Sequence, residues 1–419
     1  MLKESLLENG ARIITYRMPG MNSISAGVWL RAGSRHESPR DNGISHFMEH
    51  LVFKGTKKRS GREISRKIEG VGGSLNGFTS QEATCYLARM ESAKLNSGLD
   101  VLLDMVFNPL LKQSDVDKER SVIQEEIGRI IDLPMHYVHV LFDSLIWGGH
   151  PLGYNISGTV ESIRNISGKT LEAYKEKFHK PCNAVLACAG NVDHQNVLLQ
   201  AEKLFPDEKV LPLEAPLPVK GIQKKKRLTV ENRPTEQTHL CLGVRTFPFN
   251  HPDRYVLSVL SVILGGNMSS RLFEEVREKR GLAYNISSSV HRLSDTGNLI
   301  ISAGVAPSRI GEAVRVILNE IRKLCDKDVY KKELSMAKEF LRGQTLLNME
   351  DTSSVMMWAG ENKLLSGSVP RVEDILEGVR NVTSDDIRRV ASIIFREEKL
   401  NLALIGPNER KEIEKAYGA

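Results

Sequence analysis

A chain of 419 residues is too long for one ordinary hydrophobic core, so two or more domains are expected. Hydrophobic residues at 41% and charged residues at 26% are ordinary for a soluble globular protein. The net charge of +6, spread over 58 basic and 52 acidic side chains, argues against a nucleic-acid partner, and no apolar run approaches the roughly 20 residues that span a bilayer.

In chain order, the first ten residues hold two acids and no apolar h-region, so neither a secretory leader nor an Arg-rich transit peptide is expected. Residues 23–31 read as a strand. The next stretch carries His46-Phe47-Met48-Glu49-His50. On a helix, positions 46, 49 and 50 fall within about 100° of arc. Two neutral imidazoles one turn apart are half of a zinc site, and the carboxylate between them is placed to act as a base on water. The order His-x-x-Glu-His inverts the commoner zinc-protease string and is itself a hydrolase signature. Ile44, Phe47, Met48, Leu51 and Val52 give this helix a side to bury. Asp41 and Asn42 are its N-cap candidates, and Gly55 sits just past its end.

Such a site needs a third protein ligand and an open position. The best candidate lies around residues 116–127, where Val116, Val122, Ile123 and Ile127 indicate an amphipathic helix. Glu119 and Glu126 lie two turns apart on one face of it. In one assignment Glu126 ligates the metal and Glu119 orients a ligating histidine. A solvated acidic face is the other reading, and spacing leaves Glu125 in competition with Glu126.

Further on, Pro206, Pro212, Pro216 and Pro218 with the basic run at 224–227 mark a linker, the run serving as a solvated tether. The segments on either side repeat one another weakly. A strand at 23–31, a helix at 62–70 and strands over 75–90 are matched by 238–245, 271–279 and 282–305. The expected fold is α+β: two homologous halves, each a mostly antiparallel sheet with helices packed on one face. The expected domains are 1–210, bearing the metal motif; 211–227, the linker; and 228–419, without metal, since the stretch near 255–265 is apolar. Five scattered cysteines (Cys85, Cys182, Cys188, Cys241, Cys325) form neither a disulfide framework nor a Cys-x-x-Cys site, so a reducing, cytoplasmic location is expected.

The string His46–His50, followed 76 residues later by Glu126, resembles the pitrilysin family of zinc endopeptidases, which includes insulin-degrading enzyme and the mitochondrial processing peptidase. Its short, bacterial-type processing-peptidase branch is the nearest match. Residues 43–45, 72–80, 150–153, 156–159, 189–193, 271–273 and 277–284 fit that family in order. The resemblance implies that His46, His50 and Glu126 bind one zinc ion per chain, that Glu49 is the general base and that Glu119 steadies a ligand histidine. It places Asn76 and Phe78 on an edge strand that pairs with an extended substrate backbone. Arg277 and Tyr284 match a pair that grips substrate carbonyls and steadies the oxyanion.

By the same resemblance, two chains form a clamshell of four halves. A homodimer is therefore expected, its composite sites completed by Arg277 of the partner subunit and Tyr284 of the partner subunit. The implied activity is a zinc metalloendopeptidase acting on unstructured peptides or extended segments inside a closed chamber. Residues 265–270, with two glycines, are a short counterpart of the glycine-rich loop in mitochondrial partner subunits, which weighs against presequence specificity. The alternatives are a non-catalytic scaffold, or a subunit that needs a separate partner chain.

Overall fold

The computed structural model describes residues 1–211 and 214–418. Strands β1 (Leu2–Leu6), β2 (Arg12–Arg17), β3 (Ser23–Leu30), β4 (Ser74–Thr79), β5 (Thr84–Glu91) and β6 (Ala184–Gly190) form one sheet in the order β1-β2-β6-β3-β5-β4. Strands β7 (Arg227–Asn232), β8 (Thr238–Thr246), β9 (Ala283–Arg292), β10 (Gly297–Val305) and β11 (Asn401–Gly406) form a second, in the order β7-β11-β8-β10-β9. Set β1 aside and the two sheets share one threading. The strands of each half, counted along the chain, lie in the order first, fifth, second, fourth, third. In both, the first and fifth are parallel and all other neighbours antiparallel. Two sheets of identical connectivity are the mark of a duplicated unit, as the weak repeat implies.

In the first half α1 (Ile44–Val52) and α2 (Gly61–Ile68) lie between β3 and β4, and α3 (Leu95–Phe107), α4 (Gln113–Asp132) and α5 (Pro134–Trp147) lie between β5 and β6. Central strands β6 and β11 are buried along their whole length, so both faces of each sheet need cover. One further helix lies on the second face of each sheet. Val355, Met356 and Ala359 of the helix Thr352–Ser366 pack on Trp29, Cys85, Val185 and Ala187. On the other sheet, Val138, Phe142 and Ile146 of α5 pack on Cys241, Ile300, Ala403 and Ile405.

Each covering helix comes from the opposite half of the chain. The compact units are accordingly 1–127, 154–217 and 346–369 in one, and 128–153, 218–345 and 370–419 in the other. This differs from the division expected at 211–227, because two segments are exchanged. Local periodicity marks a helix as amphipathic but does not say which sheet it will cover.

Of the expected linker, Pro212 and Leu213 lie outside the described residues; positions 211 and 214–226 carry no helix or strand. Its basic run is not a solvated tether throughout. Lys226 Nζ sits 2.5 Å from Glu397 and donates to the Tyr417 carbonyl at 3.1 Å, while Arg227 opens β7 and donates to the Leu145 carbonyl at 2.7 Å. Among the described residues no helix is long and apolar enough to cross a membrane.

Candidate metal centre

Helix α1 buries Ile44, Phe47, Met48, Leu51 and Val52 and leaves His46, Glu49 and His50 only partly covered. Its start is not capped by Asp41 or Asn42, as expected from sequence. Asp41 is engaged with Ser38, and the N-cap position is Gly43, at a φ of 93° that favours glycine. The cap comes from Glu37, whose buried carboxylate accepts from Gly43 N at 2.7 Å, Ser45 N at 2.9 Å and Asn42 Nδ2 at 2.9 Å. A carboxylate there also meets the positive end of the helix dipole.

Helix α4 is held by Val116, Glu119, Ile123 and Ile127, all buried, whereas Val122 is exposed and plays no part in that face. Glu126 then projects towards α1. Its oxygens lie 3.8 Å from His46 Nε2 and 3.7 Å from His50 Nε2, and one ligand atom from each of the three residues falls within 4.8 Å of the others. These gaps are too long for hydrogen bonds. They approach the edge of a tetrahedron, about 3.4 Å, around an ion with bonds of about 2.0–2.1 Å. Glu125 is exposed and outside the cluster, so geometry separates the two candidates.

The donor set suits zinc: two imidazole nitrogens and a carboxylate oxygen. Burial, aided by His50, pushes the His46 imidazolium down to about 4, so the ring is neutral and offers a lone pair to a metal. His50 Nδ1 is 3.1 Å from Glu119 Oε2, which favours the tautomer that leaves Nε2 free. The other Glu119 oxygen takes Lys54 Nζ at 2.6 Å. Glu119 is therefore a buried, doubly engaged carboxylate rather than part of a solvated face.

Glu49 stands beside the triad. Burial pushes its carboxyl above the ordinary range, opposed by a hydrogen bond from Thr79 Oγ1 to Oε2 at 2.6 Å. Gly77 makes room for it: a Cβ there would stand 3.2 Å from both Cγ and Oε1 of Glu49. Strand β4, which carries both residues, is the terminal strand of its sheet. On its other side Asn76 is exposed, its Oδ1 accepting from Gly77 N at 2.8 Å, and Phe78 packs edge-on against Trp29 at 5.5 Å. Glu37, Lys54 and Thr79 were not singled out by sequence reasoning. Alternation along β4 pairs residues 77 and 79 on one side, yet only the fold shows that this side meets α1.

In the second unit, the π-helical turn Phe273–Glu278 presents Arg277 between two rings, 4.7 Å from the centre of Phe273 and 4.6 Å from that of Tyr284. Tyr284 is 78% exposed, near the start of β9. The helix Arg254–Ser261 takes the place of α1 in this half's threading and buries Val256, Leu257, Val259 and Leu260. Among the described residues, His46, His50 and Glu126 form the single group of His, Cys, Asp or Glu that could hold a metal ion.

Residues 12–160 match the family Insulinase (Peptidase family M16), and residues 165–341 match the Peptidase M16 inactive domain. An uncharacterized zinc protease of Streptomyces coelicolor is 36% identical over 424 residues, covering 100% of this chain and 92% of its own length. The uncharacterized zinc protease YmxG of Bacillus subtilis is 37% identical over 411 residues, covering 97% and 99%. The crystal structure of a protease from Helicobacter pylori superposes with a TM-score of 0.92 at 25% identity, covering 97% of this chain and 99% of that one. With a duplicated fold, a candidate metal group in one half and full-length kinship to these proteins, the chain belongs to peptidase family M16, the pitrilysin-like insulinase family, in its short bacterial branch.

Proposed function

We propose that the chain is a zinc-dependent endopeptidase that hydrolyses peptide bonds in unstructured or extended polypeptides inside a closed chamber. The observation that carries this is the convergence of His46 Nε2, His50 Nε2 and the Glu126 carboxylate beside a fourth side chain, Glu49, left outside the ligand set. Bound by those three, zinc supplies Lewis acidity, polarising a carbonyl and bringing the pKa of water near 7. His46 and His50 would hold the ion through Nε2, and the contact of Glu119 with His50 Nδ1 favours the tautomer that this requires. Glu49 takes a proton from the attacking water and returns it to the leaving amine nitrogen. Its burial raises its affinity for that proton, which suits a group that must both take and give.

Strand β4 seats the substrate backbone by strand addition, with Asn76 and Phe78 beside it; main-chain pairing demands extension and little sequence. Arg277 and Tyr284 donate to substrate carbonyls and to the developing oxyanion. They stand in a different unit from the triad, and we assign a homodimer in which each zinc site works with Arg277 of the partner subunit and Tyr284 of the partner subunit. One zinc ion per chain and a cytoplasmic location complete the reading.

The test is cleavage of an unstructured quenched-fluorescent peptide by the purified chain and by Glu49→Gln. Turnover should fall on the order of 10²- to 10⁴-fold in the variant with zinc content unchanged. Equal rates would sink the assignment.

A further inference from the structure

We infer that Thr79 is a positioning residue for peptide hydrolysis: its hydroxyl holds the Glu49 carboxylate in one orientation and leaves Oε1 as the oxygen that exchanges the proton. The inference rests on the reading of Glu49 as the base.

A glutamate on a helix surface has a broad terminal torsion, so nothing local fixes where its two oxygens point. A base must be held within about 0.5 Å of its working geometry to be effective. Here both oxygens are placed by one strand. Thr79 Oγ1 donates to Oε2 at 2.6 Å, and Gly77 leaves the space in which Oε1 and Cγ lie. Residues 77 and 79 are two apart, so they project from the same side of β4, towards α1. Phe78 projects from the other side, against Trp29.

The donor is itself fixed. Thr79 pairs with Thr84, and Gly77 with Tyr86, in an unbroken antiparallel register with β5, and Tyr86 is fully buried. A β-branched threonine adds a stiff χ1 to that rigid backbone. The hydroxyl is thus carried by the sheet and not by a loop, on the strand proposed to seat the substrate. Base and substrate seat share one rigid element.

The experiment compares Thr79→Val, which removes the hydroxyl at nearly constant shape, with Thr79→Ser, which keeps it. Both are made in the wild-type and the Glu49→Gln backgrounds. Thr79→Val should lower kcat by about 10- to 100-fold with KM within about twofold, as expected for a misaligned group. Zinc affinity, measured by chelator competition, should be unchanged, and Thr79→Ser should restore most of the rate. In the Glu49→Gln background Thr79→Val should cost nothing further, since its effect passes through the carboxylate.

Binding of a peptidyl hydroxamate to the zinc-loaded protein, measured by calorimetry, should follow the same pattern without needing turnover. A retained kcat, weakened zinc binding, failure of serine to rescue, or an additive loss on top of Glu49→Gln would each overturn the proposal. Wild-type turnover by Glu49→Gln would instead overturn the reading of Glu49 as the base, and the hydroxamate titration would still decide whether Thr79 acts through that carboxylate.

Discussion

His50 Nδ1 lies 3.1 Å from Glu119 Oε2, and the second oxygen of that carboxylate receives Lys54 Nζ at 2.6 Å. Glu119 is anchored on a buried face of α4, so it offers α1 a fixed acceptor rather than a mobile one. Partners of this kind are typically worth 10- to 100-fold in metal affinity. Glu119→Gln should weaken zinc binding by roughly that factor in a chelator competition. An unchanged affinity would mean that the histidine needs no such support.

Glu126 and Glu125 are neighbours in sequence but not in role, because a helical step of about 100° turns one away from the cluster. Glu126→Ala should leave the purified chain without stoichiometric zinc, read by atomic absorption. Glu125→Ala, at an exposed position, should retain it. The reverse result would reassign the third ligand.

Arg277 lies over the ring of Tyr284 at 4.6 Å, so each orients the other. Tyr284→Phe should lower kcat/KM by on the order of 10²-fold, the scale of a lost oxyanion donor, with zinc content intact. Mixing inactive Glu49→Gln chains with Tyr284→Phe chains should recover activity once subunits exchange. Absence of rescue, with exchange verified by tagged chains, would argue against composite sites.

Asp143, on α5 beside Cys241, has its carboxyl pushed up to about 7 by burial, against 3.8 for an ordinary aspartate. Between those values the folded chain holds a proton that the unfolded chain has released. Stability from this group is therefore full below about pH 3.8 and is lost as pH climbs through about 7. Asp143→Asn should raise Tm at pH 8 by roughly 3 °C or more and change it little at pH 4. Parallel pH dependence of Tm in both proteins would show that the carboxyl is not the source.

Much of the site was legible in the chain because it depends on short-range geometry. Residues 46, 49 and 50 share a helix face by periodicity alone, and the apolar residues around them say that this helix is buried. The strand at 23–31 is found as Ser23–Leu30 and that at 238–245 as Thr238–Thr246, since strongly apolar central strands advertise themselves. The cap on α1 was not legible. Glu37 reaches it across a turn, and Asp41 and Asn42 were plausible capping acceptors whose side chains are committed elsewhere.

Local pattern in the chain therefore set out the chemistry available: an inverted zinc motif, a downstream acidic helix, and a repeated strand pattern that implies duplication. Tertiary structure decided the rest. It brought Glu126 rather than Glu125 beside His46 and His50, Lys54 to Glu119 and Thr79 to Glu49, and exchanged the segments 128–153 and 346–369 between the two units. The physical reason is range. Periodicity fixes which side chains share a face, but which face meets which partner depends on burying apolar surface across segments far apart in the chain.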